Sequence, residues 1–98
     1  MASQEKKWTV SKIANSVRKE IENLDLKLQE EAIKNFECLE YNPFLGDVKK
    51  VKGKKDLYRK RIGEYRFYFR TIPQSNNIHI LLFKYRGKIK TKTIQRLK

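Results

Sequence analysis

At Asn42-Pro43 the hydrophobic residues of this sequence change their period. Before that point they recur three and four residues apart; beyond it they alternate with polar residues. The first spacing is one face of an amphipathic helix and the second is one face of a strand. Ile13, Val17, Ile21 and Leu24 form a first helical stripe, with Ser11 placed to cap it. Asn23 and Asp25 interrupt the pattern. Leu28, Ala32, Phe36 and Leu39, with Ile33 alongside, form the second stripe. So short a connection predicts a helical hairpin. The proline ends the second helix, because it disfavours helical backbone in the residue before it. Ahead of the helices, Trp8-Thr9-Val10 reads as a short strand.

Four strand-like runs follow: Val48 to Lys52, Leu57 to Ile62, Tyr65 to Ile72 and Ile78 to Lys84. Gly63-Glu64 fits a two-residue type II′ turn, and Pro73 to Asn77 is a second turn. The order is β-α-α-β-β-β-β. This is an α+β chain with an N-terminal helical hairpin packed on a mostly antiparallel sheet of four to five strands. The helices should cover one face of the sheet and leave the other wet. The length predicts one domain over 1–98, with a frayed end at 1–7 and a basic tail at 85–98. The tail reads equally as a last strand, a short helix or a mobile end.

The charge is segregated. Met1 to Val48 carries seven Lys/Arg against nine Asp/Glu, whereas Lys49 to Lys98 carries seventeen against two, for a net charge of +13. Such a half-chain attracts polyanions: nucleic acid, an acidic protein or an anionic surface. No apolar run approaches the ~20 residues of a membrane span, and none resembles a leader segment. With one cysteine, Cys38, an internal disulfide and a multi-thiolate zinc site are excluded. Cys38 itself reads as a small core residue. Asp47, Asp56 and Glu64 lie singly in turns, so neither a paired-carboxylate site nor a magnesium cluster is expected. No glycine-rich phosphate loop is present. The expectation is a cytoplasmic protein with neither metal nor organic cofactor.

The Gly63-Glu64 turn fixes a register. Ile62 faces Tyr65, Arg61 faces Arg66, Lys60 faces Phe67, Arg59 faces Tyr68, Tyr58 faces Phe69, and Leu57 faces Arg70. Opposed residues share a face, and faces alternate along a strand. One face then holds Tyr58, Lys60, Ile62, Tyr65, Phe67 and Phe69. It reads as core, with Lys60 snorkelling at an edge. The other holds Leu57, Arg59, Arg61, Arg66, Tyr68 and Arg70. Like charges directly opposed are unfavourable, so Arg61 against Arg66 calls for an anion. Arginine offers a fork of permanently charged donors that matches phosphate, and Tyr68 offers a ring for a base. His79, the one histidine, should share a face with Leu81 and Phe83 and reads as structural.

The run Asn42 to Phe69, N-P-F-L-G-D-V-K-K-V-K-G-K-K-D-L-Y-R-K-R-I-G-E-Y-R-F-Y-F, resembles the RelE/ParE toxin superfamily. The matching parts are the proline after the second helix, the K-x-V-x-G strand, the Y-R-x-R-x-G-x-Y-R hairpin, and an apolar strand ending at Lys84-Tyr85-Arg86. The resemblance implies a toxin-antitoxin toxin that cuts messenger RNA on the ribosome without metal. In such a reaction the 2′-hydroxyl attacks the adjacent phosphate, and arginine and lysine stabilise the transition state. It implies Arg59, Arg61, Arg66 and Arg86 as catalytic residues. Lys50, Lys52, Tyr68, Arg70, Lys88, Lys90 and Lys92 are then RNA-binding. A cognate acidic antitoxin is the implied protein partner. Several family members carry a tyrosine or histidine soon after the last arginine, as a general base. Here Gly87 to Thr93 contains neither; Lys90 or Lys92 would need a lowered pKa to serve. Two other readings stay open: a ParE-like gyrase inhibitor, and a catalytically weak RNA- or ribosome-binding protein.

Overall fold

The computed structural model describes Glu5–Leu97. Its elements are β1 (Thr9–Ile13), α1 (Asn15–Glu22), α2 (Leu26–Tyr41), β2 (Val48–Lys50), β3 (Leu57–Ile62), β4 (Tyr65–Ile72), β5 (Asn77–Tyr85), a 3₁₀ turn (Arg86–Lys88) and α3 (Thr91–Gln95). The strands form one sheet in the order β1-β5-β4-β3-β2. β1 runs parallel to β5, and every other pairing is antiparallel. The α+β reading and the mostly antiparallel sheet therefore hold. No helix among the described residues is long and apolar enough to cross a membrane.

The helical hairpin forms as its stripes require, but it starts later than the periodicity suggests. Ser11 and Ile13 belong to β1, and Ala14 occupies the cap position of α1 without a side-chain hydrogen bond. The 4-4-3 spacing ran on into a strand because one residue of β1, Ile13, happens to fall in phase with the helix stripe. Asp25, read only as an interruption, is the N-cap of α2: its carboxylate accepts from the Leu28 amide at 2.9 Å.

The helices bury Val17, Ala32, Phe36 and Leu39 against Phe67, Phe69, Ile78, Ile80 and Phe83 of the sheet. Phe36 meets Phe67 edge-on at 5.1 Å between ring centroids, a favoured aromatic geometry. Cys38 is not part of this core; it is exposed on α2. Lys60 is part of it. Its side chain lies on the core face at 8% exposure, and no carboxylate among the described residues is within ion-pair distance. Burial lowers its pKa, with only a minor opposing influence from Cys38. The unfolded chain thus holds more protons than the native one between that lowered pKa and the ordinary lysine value. The penalty is fully present below the lowered pKa and is relieved as pH rises through that window. Lys60→Met should raise stability by ~1 kcal/mol at neutral pH, with the gain shrinking in alkaline urea titrations; a destabilised variant would contradict this.

At the N-terminus, Met1–Gln4 of the expected frayed end lie outside the described residues, and the rest of that end is tied down. The amides of Lys7 and Trp8 both donate to the Glu40 carbonyl at 3.0 Å. The Glu40 carboxylate accepts from the Val10 amide at 3.0 Å and pairs with Lys6 at 3.2 Å. The Val10 hydrogen bond is the largest influence on its pKa; burial opposes it, and the Lys6 hydrogen bond and charge add to it, leaving the carboxyl below its usual range. A depressed carboxyl stabilises above its unfolded pKa, and the contribution is lost as pH falls through the folded value. Glu40→Gln should therefore flatten the acid limb of the pH–stability curve below about pH 5, which thermal melts across that range would read directly.

The far face of the sheet is not wet throughout. Leu57, Tyr68 and Leu82 form a second buried cluster, packed by Val51, Leu81, Ile89, Ile94 and Leu97. The basic tail thus folds back as a short helix. Lys54 fastens it by donating from Nζ to the Gln95 carbonyl at 2.7 Å.

Candidate functional site

The β3–β4 hairpin has the register derived from its turn, residue for residue from Leu57↔Arg70 to Ile62↔Tyr65. Gly63 has φ of +56° while Glu64 does not enter the positive region, as a type II′ turn requires. Arg59, Arg61, Arg66, Tyr68 and Arg70 consequently share the face opposite the helices. The neighbouring strands add to it. Lys49 is the register partner of Arg59, and Lys84 is the register partner of Arg66. Across the sheet this makes a row Arg61–Arg66–Lys84, and below it a row Lys49–Arg59–Tyr68–Leu82.

Lys49 and Lys84 were missed from sequence for identifiable reasons. The resemblance implies Lys50 in β2, yet Lys50 pairs with Tyr58 of the core face, so by alternation Lys49 is the one that points with the arginines. In β5 the register slips opposite Tyr68 and Phe69, leaving Leu81 as an extra residue. That bulge inverts the alternation. His79 therefore sits opposite Arg70 on the arginine face, while Phe83 is in the core.

The polar groups of this face are under-partnered. Asp47 lies 3.7 Å from Arg61 Nη1 and 4.0 Å from Arg59 Nη2. The Nε atoms of Arg59, Arg66 and Arg70 are buried without a hydrogen-bond partner. The three side chains are only partly buried, so what each presents to a ligand is the part of its guanidinium beyond that sealed Nε. Arg86 stands at the adjacent corner: its Nε meets the Glu64 carboxylate at 2.8 Å, and its amide donates to the Glu64 carbonyl at 2.9 Å. A cavity of about 200 Å³, lined by Lys49, Lys50, Val51, Arg59, Tyr68 and Ile94, opens beside β2.

Tyr68 differs from expectation. Only 3% of it is exposed, because Ile94 and its neighbours lie over this part of the sheet. No base can stack on that ring in this arrangement. Burial pushes its hydroxyl pKa up, and Arg59 and Arg66 beside it pull it down less strongly. Its ring packs with Leu57 and Leu82 in the second buried cluster. Lys52 lies in the loop after β2, and Lys88, Lys90 and Lys92 are exposed on the 3₁₀ turn and the start of α3. Those four form a basic border and not part of the arginine rows. No three His, Cys, Asp or Glu side chains among the described residues converge as a metal site would need.

No known family pattern matches the chain, and no curated protein matches it. Solved structures do. A RelE from an archaeal RelE–RelB complex of Pyrococcus horikoshii is 32% identical, with a TM-score of 0.74 over 85% of this chain and 99% of that one. A variant of the E. coli toxin RelE in the free state superposes with a TM-score of 0.73 at 14% identity, over 96% and 100% of the two chains. The Mycobacterium tuberculosis toxin–antitoxin complex RelBE2 gives a TM-score of 0.68 at 19% identity, over 82% and 99%. The latter two speak to the fold alone.

Proposed function

This chain belongs to the RelE family of toxins, and on that premise we propose that it cuts messenger RNA on the ribosome with its arginine face and is restrained by an acidic antitoxin. The observation that carries the reading is the row Arg61–Arg66–Lys84, which one carboxylate among the described residues, Asp47, meets at the Arg61 end. A like-charged row is unfavourable on its own, and a phosphate supplies what it lacks.

In the proposed reaction a ribose 2′-hydroxyl gives its proton to water and attacks the neighbouring phosphorus; the bond to the 5′-oxygen of the next nucleotide breaks, leaving a 2′,3′-cyclic phosphate and a 5′-hydroxyl that takes its proton from water. Charge accumulates on the non-bridging oxygens. Arg66 and Arg61 donate to them, and Arg59 supplies further positive charge from the second row. Preorganised donors aimed at developing charge contribute most where their own orientation is already fixed. Arg66 and Arg59 are carried on paired strands of the sheet, which fixes their backbone positions and the face they share. Arg86 joins from the corner once its pairing with Glu64 opens.

The proposed antitoxin is acidic because it must cover a half-chain bearing seventeen Lys/Arg and two Asp/Glu. The test is to add the protein to a coupled transcription–translation system and, separately, to a gyrase supercoiling assay. Arrested translation with unaffected supercoiling is expected. Inhibited gyrase with normal translation would overturn the reading.

A further inference from the structure

We propose that Lys84 is a phosphate-binding residue of the arginine face, and that with Arg61 and Arg66 it makes a track on which the RNA backbone crosses the strands toward β5. This rests on the RNA reading given above and extends it to a residue outside the hairpin motif.

The register places Lys84 directly opposite Arg66, and Arg66 directly opposite Arg61. Neighbouring strands are ~4.8 Å apart, so three cations in a row reach across roughly 10 Å, more than a single phosphate occupies. The row is neutralised at one end only. Asp47 stands beside Arg61, whereas Lys84 pairs with no carboxylate among the described residues. Lys84 is half-buried, and the residue before it, Phe83, is locked in the core at 2% exposure. Its backbone position and face are therefore fixed, while its ammonium is left without a counter-charge. The Asp47 carboxylate repels phosphate at the β3 end, so the open end of the track is at β5. Lysine acts there as a point charge, which suits a flanking phosphate; the forked arginines suit the reacting one.

The probe is a short single-stranded RNA with methylated 2′-hydroxyls, so that binding is read without cleavage. Lys84→Gln and Lys84→Met should each weaken binding several-fold and reduce the slope of log K against log salt by ~0.7, one phosphate contact for a single strand. Lys84→Arg should restore both, and melting temperatures should stay at the wild-type value. Arg66→Gln is the reference and should also lower affinity and slope. Unchanged affinity and slope in the neutral Lys84 variants, with Arg66→Gln impaired, would overturn the assignment of Lys84 alone. Loss that Lys84→Arg does not restore would overturn it too, since charge would not be the cause. If Arg66→Gln also leaves binding and slope unchanged, the RNA reading falls and the track falls with it.

Discussion

Arg66→Ala should lower the rate of message cleavage by about 10²- to 10³-fold, the usual loss when one preorganised donor to a transition-state oxyanion is removed. Arg66 sits in the middle of the cationic row. Its Nε is buried without a partner, and no carboxylate among the described residues holds it. Arg86 differs, since it is more than half exposed and pairs with Glu64. Its substitution should cost less than that of Arg66, because part of its charge is already answered. Arg66→Lys should recover only a fraction of the lost rate, because an ammonium keeps the charge and loses the two-pronged donor. Single-turnover cleavage on programmed ribosomes checks all three variants. Full activity in Arg66→Ala would remove this residue from the chemistry.

Phe67→Ala should cost about 3–5 kcal/mol of stability, in the range for truncating a fully buried phenylalanine. Phe67 has no exposed surface, and it contacts the rings of Phe36, Phe69 and Phe83. With Phe83, which also meets three rings, it ties α2 to the central strands. A domain of this size has only about 5–15 kcal/mol in total, so the variant sits near the edge of unfolding. The functional consequence follows from alternation along β4: the strand that sends Phe67 into the core sends Arg66 to the other face. Urea denaturation followed by circular dichroism measures the loss, and a change below about 1 kcal/mol would mean the core tolerates the cavity far better than such sites do.

Much of this was legible in the sequence because the decisive signals are local. The Gly63-Glu64 turn carries its own geometry, and a two-residue turn leaves the hairpin one register. That alone places Arg59, Arg61, Arg66 and Arg70 together. What was not legible depended on irregularity or distance. The bulge at Leu81 inverts the faces of β5 and so hid Lys84 and moved His79; a single added residue leaves no mark on composition. That Lys49, and not Lys50, shares the arginine face depends on where a three-residue edge strand pairs, which no turn specifies. Tyr68 looked available because nothing in the tail's spacing announced that Ile89, Ile94 and Leu97 would fold back over it. Lys60 was placed on the right face, but its depth came from the helices above and not from the hairpin.

The proposed activity, cleavage of RNA on the ribosome by the arginine face, would leave cuts that can be mapped. Primer extension on a reporter message, in a purified translation system with and without this protein, tests it most directly. Cuts that require ribosomes and disappear with Arg66→Ala are the predicted result. Intact message in the presence of the wild-type protein, whether translation stalls or proceeds, would contradict it.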